Sequence, residues 1–110
     1  PRAIENAAAI AAVPGIDALL IGTNDLCLEM GITGQLSHER VVAAYDKVVA
    51  ACKANGKWAG MGGVYTKDLL QRYIGMGVRM ILAGNDLSLL MSAGLDQASF
   101  VRTCGEGRRL

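Results

Sequence analysis

The chain has 110 residues, 52% of them apolar and 19% charged, with a formal net charge of +1. That apolar fraction excludes a disordered polar tail, and eleven basic residues offset by ten acidic ones exclude a strongly basic nucleic-acid surface. Aromatic residues make up only 5%, too few for a base-stacking platform, and no run approaches the roughly 18 apolar residues of a membrane helix.

Pro1 rather than Met opens the chain, with no signal-peptide pattern behind it, so the sequence reads as a piece of something longer. Residues 2–13 carry apolar side chains at Ile4, Ala7, Ala8 and Ala11, a helical stripe ended by Pro14-Gly15. Ala18-Leu19-Leu20-Ile21 is a short continuous apolar run and predicts a strand buried on both faces. It runs into Gly22-Thr23-Asn24-Asp25, a loop with helix-capping residues, then a short helical turn over 26–30. Ser37 is the expected N-cap of a helix that presents Val41, Val42, Tyr45, Val48, Val49 and Cys52 on one face and ends at Asn55-Gly56. A capping box is absent, because Arg40 stands where Glu or Gln is wanted. Residues 58–61 predict a second strand, Thr66 a cap for a helix through Ile74, and residues 79–82 a third strand. Asn85-Asp86 then opens a last helix, through about residue 93 with a continuation over 96–103.

Helix and strand alternate with short connections, which implies an α/β fold of parallel strands with crossover helices. Three strands alone leave both sheet edges open, so a part of a larger barrel or sheet is the better fit. Leu20-Ile21-Gly22-Thr23-Asn24-Asp25-Leu26 and Ile81-Leu82-Ala83-Gly84-Asn85-Asp86-Leu87 echo one another, as repeated βα units do. A barrel of eight such units takes about 250 residues, so this chain would be somewhat under half of one.

In parallel βα folds the chemistry sits at the carboxyl ends of the strands. Gly22 would let a ligand approach the backbone there. The amides of Thr23 and Asn24 at a helix start favour an anion, and the Asp25 carboxylate suits a hard divalent cation. An anion site beside a cation site is what a metal-chelated 2-oxo acid requires. The competing reading makes Asn24 or Asp25 a plain helix cap, and a cap is the reading for Asp86. Gly60-Met61-Gly62-Gly63 lacks the Lys-Ser/Thr of a phosphate loop and reads as a tight turn or a roomy pocket wall. His38 reads as a surface residue, Ser37 and Ser88 have no His-Asp partners nearby, and Arg102, Arg108 and Arg109 read as a solvated tail. Cys27, Cys52 and Cys104 form no CxxC pair and read as small buried hydrophobes in a reducing, cytoplasmic compartment.

Several segments together resemble the HpcH/HpaI aldolase family. They are Ala12-Val13-Pro14-Gly15-Ile16-Asp17, Leu20-Ile21-Gly22-Thr23-Asn24-Asp25-Leu26, Met30-Gly31 and Gly34-Gln35. The likeness continues through Gly56-Lys57, Gly60, Arg72-Tyr73, Gly77 and Gly84-Asn85-Asp86, and covers nearly the whole chain. It implies that residues 1–110 are the C-terminal part of a TIM-type (β/α)8 barrel whose first half lies upstream. It also implies a class II lyase that uses Mg, Mn or Co to cleave 2-oxo-4-hydroxy acids into pyruvate and an aldehyde. By the same resemblance Asp25 is a metal ligand, and the backbone of Gly22, Thr23 and Asn24 holds the substrate carboxylate. Thr23 stands where the family usually has Pro. Gly62, at a substrate-binding wall position often filled by a larger apolar residue, is expected to widen the pocket. The partner Glu falls just upstream of Pro1, so Glu5 does not take that role, and the family's catalytic Arg and His belong to the first half. The resemblance further implies a homo-oligomer, often a hexamer, with Leu87–Met91 and Phe100-Val101 as candidate contacts. Two alternatives stand beside this one: a citrate-lyase or malyl-CoA-lyase-like enzyme of the same superfamily, and a non-catalytic assembly piece.

Overall fold

The three apolar runs become three parallel strands, because each is joined to the next by a connection long enough for a crossover helix. The computed structural model describes residues 1–106. Two short helices, α1 (Arg2–Glu5) and α2 (Ala7–Ala11), precede β1 (Ala18–Gly22). There follow α3 (Thr23–Glu29), α4 (Glu39–Ala54), β2 (Trp58–Gly62), α5 (Lys67–Met76), β3 (Met80–Ile81) and α6 (Asp86–Gly105). The sheet order is β1-β2-β3, all parallel, with Leu20 opposite Gly60 and Gly60 opposite Met80.

The expected helix over 2–13 is divided at Asn6, whose φ of −92° and ψ of 9° leave the helical well. Its ladder nevertheless runs through, since the Asn6 N–H donates to the Arg2 carbonyl and the Ile10 N–H to the Asn6 carbonyl. The cap of α4 is His38 rather than Ser37: its Nδ1 accepts from the Arg40 N–H at 3.1 Å, and its carbonyl takes the first helical bonds, from Val41 and Val42. The two halves expected of the last helix are one 20-residue helix, and Arg102 stands in its last turn rather than in a tail. Arg108 and Arg109 lie outside the described residues.

The core lies between the sheet and α4. Successive strand residues point to opposite faces, so Leu19 and Ile21 of β1, Ala59 and Met61 of β2 and Ile81 of β3 meet Val41, Ala44, Tyr45, Val48 and Cys52 of α4. Cys27 and Cys52 are buried as expected, whereas Cys104 is exposed, because α6 buries none of its residues. The expectation of a strand covered on both faces holds for one face only. Leu20, Met80 and Leu82 point away from the helices and are 43%, 44% and 48% exposed. In a closed barrel that face is filled by layers of side chains from the other strands. Among the described residues no helix is long and apolar enough to cross a membrane.

Candidate active site at the carboxyl ends of the strands

Gly22 ends β1 and Gly62 ends β2, and the two are paired in register. The Leu82 N–H donates to the Met61 carbonyl, which brings the residues after β3 to the same end of the sheet. The folding of the chain thus gathers the three segments that the sequence marks out, 22–25, 62–64 and 84–86.

The turn after β1 enters α3 at once. Thr23 is fully buried, and its hydroxyl donates to the Gly62 carbonyl at 2.7 Å. A hydroxyl has a single proton. Since that proton goes to a carbonyl, the 2.7 Å contact with Tyr45 is one in which the Tyr45 O–H donates to Thr23 Oγ1. Asn24 Nδ2 donates to the Gly63 carbonyl at 3.3 Å. Gly63 has φ +79°, a backbone angle that favours glycine, and a Cβ there would lie 2.5 Å from Asn24 Nδ2 and push that side chain off the Gly63 carbonyl.

Asp25 lies in the first turn of α3, exposed, and no side chain caps that helix. The capping alternative for Asp25 is therefore not what the structure shows. The echoed motif differs here: Asn85 is the N-cap of α6, accepting from the Ser88 N–H at 2.8 Å, and Asp86 Oδ1 accepts from the Leu87 N–H at 2.8 Å. The two Asn-Asp pairs are out of step with their helices, so one carboxylate is left free and the other is engaged. A Cβ on Gly22 would come 3.2 Å from Asp25 Oδ2, so this glycine leaves the space that the carboxylate leans into.

Gly62 is buried, and the space that its missing side chain leaves is taken from both sides. A Cβ there would meet Leu82 Cδ1 at 3.3 Å and Leu20 Cδ2 at 3.6 Å. The widening expected at Gly62 is thus offset by two leucines that lean over it. Glu5 is exposed in α1. Among the described residues no group of three or more His, Cys, Asp or Glu is placed to hold a metal, so these residues supply Asp25 without a complete ligand set.

Tyr45 belongs to the apolar stripe expected of α4 and Tyr73 to the Arg72-Tyr73 segment of the resemblance, and the sequence assigns neither a place at the site. In the structure their rings stack at 4.0 Å, and the Tyr73 hydroxyl donates to the Leu36 carbonyl at 2.6 Å. The available signal was the pair of phenols on inward helix faces, since a buried tyrosine hydroxyl needs a partner. Burial pushes the Tyr45 phenol up to about 12, with the Thr23 hydrogen bond acting the other way, and burial also raises Tyr73. Tyr45 therefore stays neutral and keeps its donor. An unfolded tyrosine ionises near pH 10, so the stability tied to Tyr45 is complete below about pH 10. It is lost as the pH rises to about 12, a fall on the order of 2–3 kcal/mol. Denaturation midpoints between pH 9 and 12 should drop more steeply for the wild type than for Tyr45→Phe; equal slopes would contradict this.

A family model described as HpcH/HpaI aldolase/citrate lyase matches residues 1–93. The chain belongs to the HpcH/HpaI aldolase/citrate lyase family. It is 39% identical over 109 residues to a 4-hydroxy-4-methyl-2-oxoglutarate aldolase of Chaetomium globosum, covering 97% of this chain and 40% of that protein. It is 42% identical over 95 residues to a hydroxypyruvate/pyruvate aldolase of Delftia acidovorans, covering 86% and 35%. The crystal structure of an HpcH/HpaI aldolase/citrate lyase family protein from Burkholderia cenocepacia superposes with a TM-score of 0.83 at 32% identity, over 92% of this chain and 39% of that one. The chain spans about two-fifths of the length of the relatives it matches. The parallel βα arc is accordingly part of the TIM-type barrel of this family.

Proposed function

We propose that this chain carries the strand-end turn of a class II pyruvate aldolase, which cleaves 2-oxo-4-hydroxy acids into pyruvate and an aldehyde. The observation that carries the reading is the uncapped, exposed Asp25 carboxylate at the carboxyl end of β1. The aldolase names of the relatives support it. Asp25 offers one hard oxygen ligand of the kind that Mg, Mn or Co takes. A divalent cation bound there supplies Lewis acidity toward the 2-oxo group.

The chain's own residues hold the acid end of the substrate. The N–H groups of Thr23 and Asn24 belong to the first turn of a helix without a side-chain cap, where backbone donors lack helical partners. They face the substrate carboxylate in this reading, and Gly22 leaves room beside Asp25 for it. Leu20 and Leu82, leaning over Gly62, form an apolar wall on that side. The proton leaving the 4-hydroxyl is assigned to no group among the described residues. The whole enzyme is proposed to act in the cytoplasm, where the free thiols Cys27 and Cys52 persist. It is also proposed to be a homo-oligomer, with hexameric assembly read out by its mass in solution; exposed Leu87, Leu89, Leu90 and Phe100 of α6 support self-association.

The test is pyruvate release by the full-length protein from 4-hydroxy-2-oxoheptanedioate and 4-hydroxy-4-methyl-2-oxoglutarate, with EDTA and with added Mg²⁺ or Mn²⁺. The expected result is release that EDTA abolishes and either metal restores. Cleavage of a CoA thioester with no release from the free acids would transfer the reading to the citrate-lyase branch. Inactivity on every substrate would leave an assembly piece.

A further inference from the structure

We propose that the Thr23 hydroxyl is a positioning group: by joining the end of β1 to the end of β2, it sets where Asn24 and Asp25 stand for the 2-oxo acid. The inference rests on the aldolase reading for what the turn binds, but the clamp itself is a matter of geometry. Thr23 is the single buried polar residue of the core among the described residues. Both hydrogen bonds of its hydroxyl are 2.7 Å long and span 22 and 39 residues of sequence.

Each partner has a distinct part. The Gly62 carbonyl takes the Thr23 proton, and the Tyr45 O–H aims the Thr23 oxygen by donating to it. Tyr45 is in turn held by its stack on the Tyr73 ring, a contact that does not depend on the Tyr73 hydroxyl. One residue further on, Asn24 Nδ2 reaches the Gly63 carbonyl, so two consecutive side chains of the turn are fastened to two consecutive carbonyls, that of the last residue of β2 and that of the residue after it.

Asp25 follows immediately. Its carboxylate caps no helix and takes part in no ion pair among the described residues. Nothing but the backbone fixes its direction, and that backbone is fastened through Thr23 and Asn24. A proline, the residue the resemblance leads one to expect here, would stiffen the turn through its ring; threonine secures it through a bond across the sheet.

The experiment compares Thr23→Val, Thr23→Ser and Tyr45→Phe in the full-length protein, with Tyr73→Phe as the control that alters the same core away from the turn. Valine keeps the shape of threonine and removes the hydroxyl. Thr23→Val should lower kcat for pyruvate release, and raise the Mn²⁺ concentration for half-activation, by about 10- to 100-fold, the usual range when the support of a ligand is removed. Thr23→Ser restores both, and Tyr73→Phe moves neither even if it melts earlier. If Thr23→Val does not fold, Tyr45→Phe carries the test, with a smaller change in the same two quantities.

Wild-type kcat and Mn²⁺ half-activation in Thr23→Val, whatever its melting temperature, would overturn the proposal. Amide hydrogen exchange separates this failure from failure of the aldolase reading. If the wild type releases no pyruvate, the clamp still requires faster exchange at residues 24–26 in Thr23→Val with α4 unchanged. Unchanged exchange at 24–26 would overturn it there too.

Discussion

Replacing Asp25 by alanine in the full-length protein should reduce kcat/KM for metal-dependent pyruvate release by about 10²- to 10³-fold while leaving the fold intact. The size follows from the several kcal/mol that a correctly held Lewis acid contributes, at 1.36 kcal/mol per factor of ten. The separation of activity from stability follows from the structure. Asp25 is exposed and caps nothing, so its removal leaves no buried group unpaired. What is lost is a carboxylate in the first turn of a helix, worth roughly 0.3–1 kcal/mol through its attraction to the helix dipole. Asp25→Asn should be nearly as inactive, because an amide keeps the shape but not the charge that a divalent cation requires. Activity assays at saturating Mg²⁺, with a thermal melt alongside, check both halves. Normal turnover in Asp25→Ala would remove this residue from the site. A large drop in melting temperature would show that its role is structural instead.

The largest expected effect on stability lies at Tyr73. Truncating it to alanine should cost about 3–5 kcal/mol, the range for deleting a fully buried aromatic ring. Its ring is completely inaccessible and stacks on Tyr45 at 4.0 Å, and its hydroxyl supplies the bond to the Leu36 carbonyl. Tyr73→Phe keeps the ring and the stack and loses only that bond, for about 1 kcal/mol. The contrast between the two variants isolates packing from hydrogen bonding. Urea denaturation of the full-length protein should show a lower midpoint for both, with the larger shift for alanine. Equal costs would mean that the bond to Leu36, rather than the ring, holds α5 against α4.

The α/β alternation was legible because it depends on short-range chemistry. Apolar runs of four or five residues between turn formers make strands, and the stripe from Val41 to Cys52 makes a helix with one buried face. Gly22, Thr23, Asn24, Asp25 and Gly62 could be marked as one neighbourhood because parallel strands bring their carboxyl ends together. Cap positions were less legible: Ser37 and His38 are adjacent and both can accept a hydrogen bond, and only the path of the entering chain selects His38. Which of Leu19 and Leu20 faces α4 was not legible, since the two are chemically identical and only the position of α4 sets Leu19 toward the helices and Leu20 toward the other face of the sheet.

The sequence by itself thus determined the order and kind of the elements, the parallel sheet, the glycine-led turns and the family resemblance, all of which rest on local spacing and residue type. Only the tertiary structure decided which of the two Asn-Asp pairs has a free carboxylate. The starting points of α3 and α6 differ relative to the motif, and this leaves Asp25 uncapped while Asn85 and Asp86 accept backbone hydrogen bonds. It alone also showed that the Thr23 side chain turns inward to Tyr45 and Gly62, and that Leu20 and Leu82 close over Gly62. These contacts join residues 20 to 42 positions apart in the chain. Spacing along a strand or helix carries no record of them, because they exist only once the sheet has brought the ends of β1, β2 and β3 side by side.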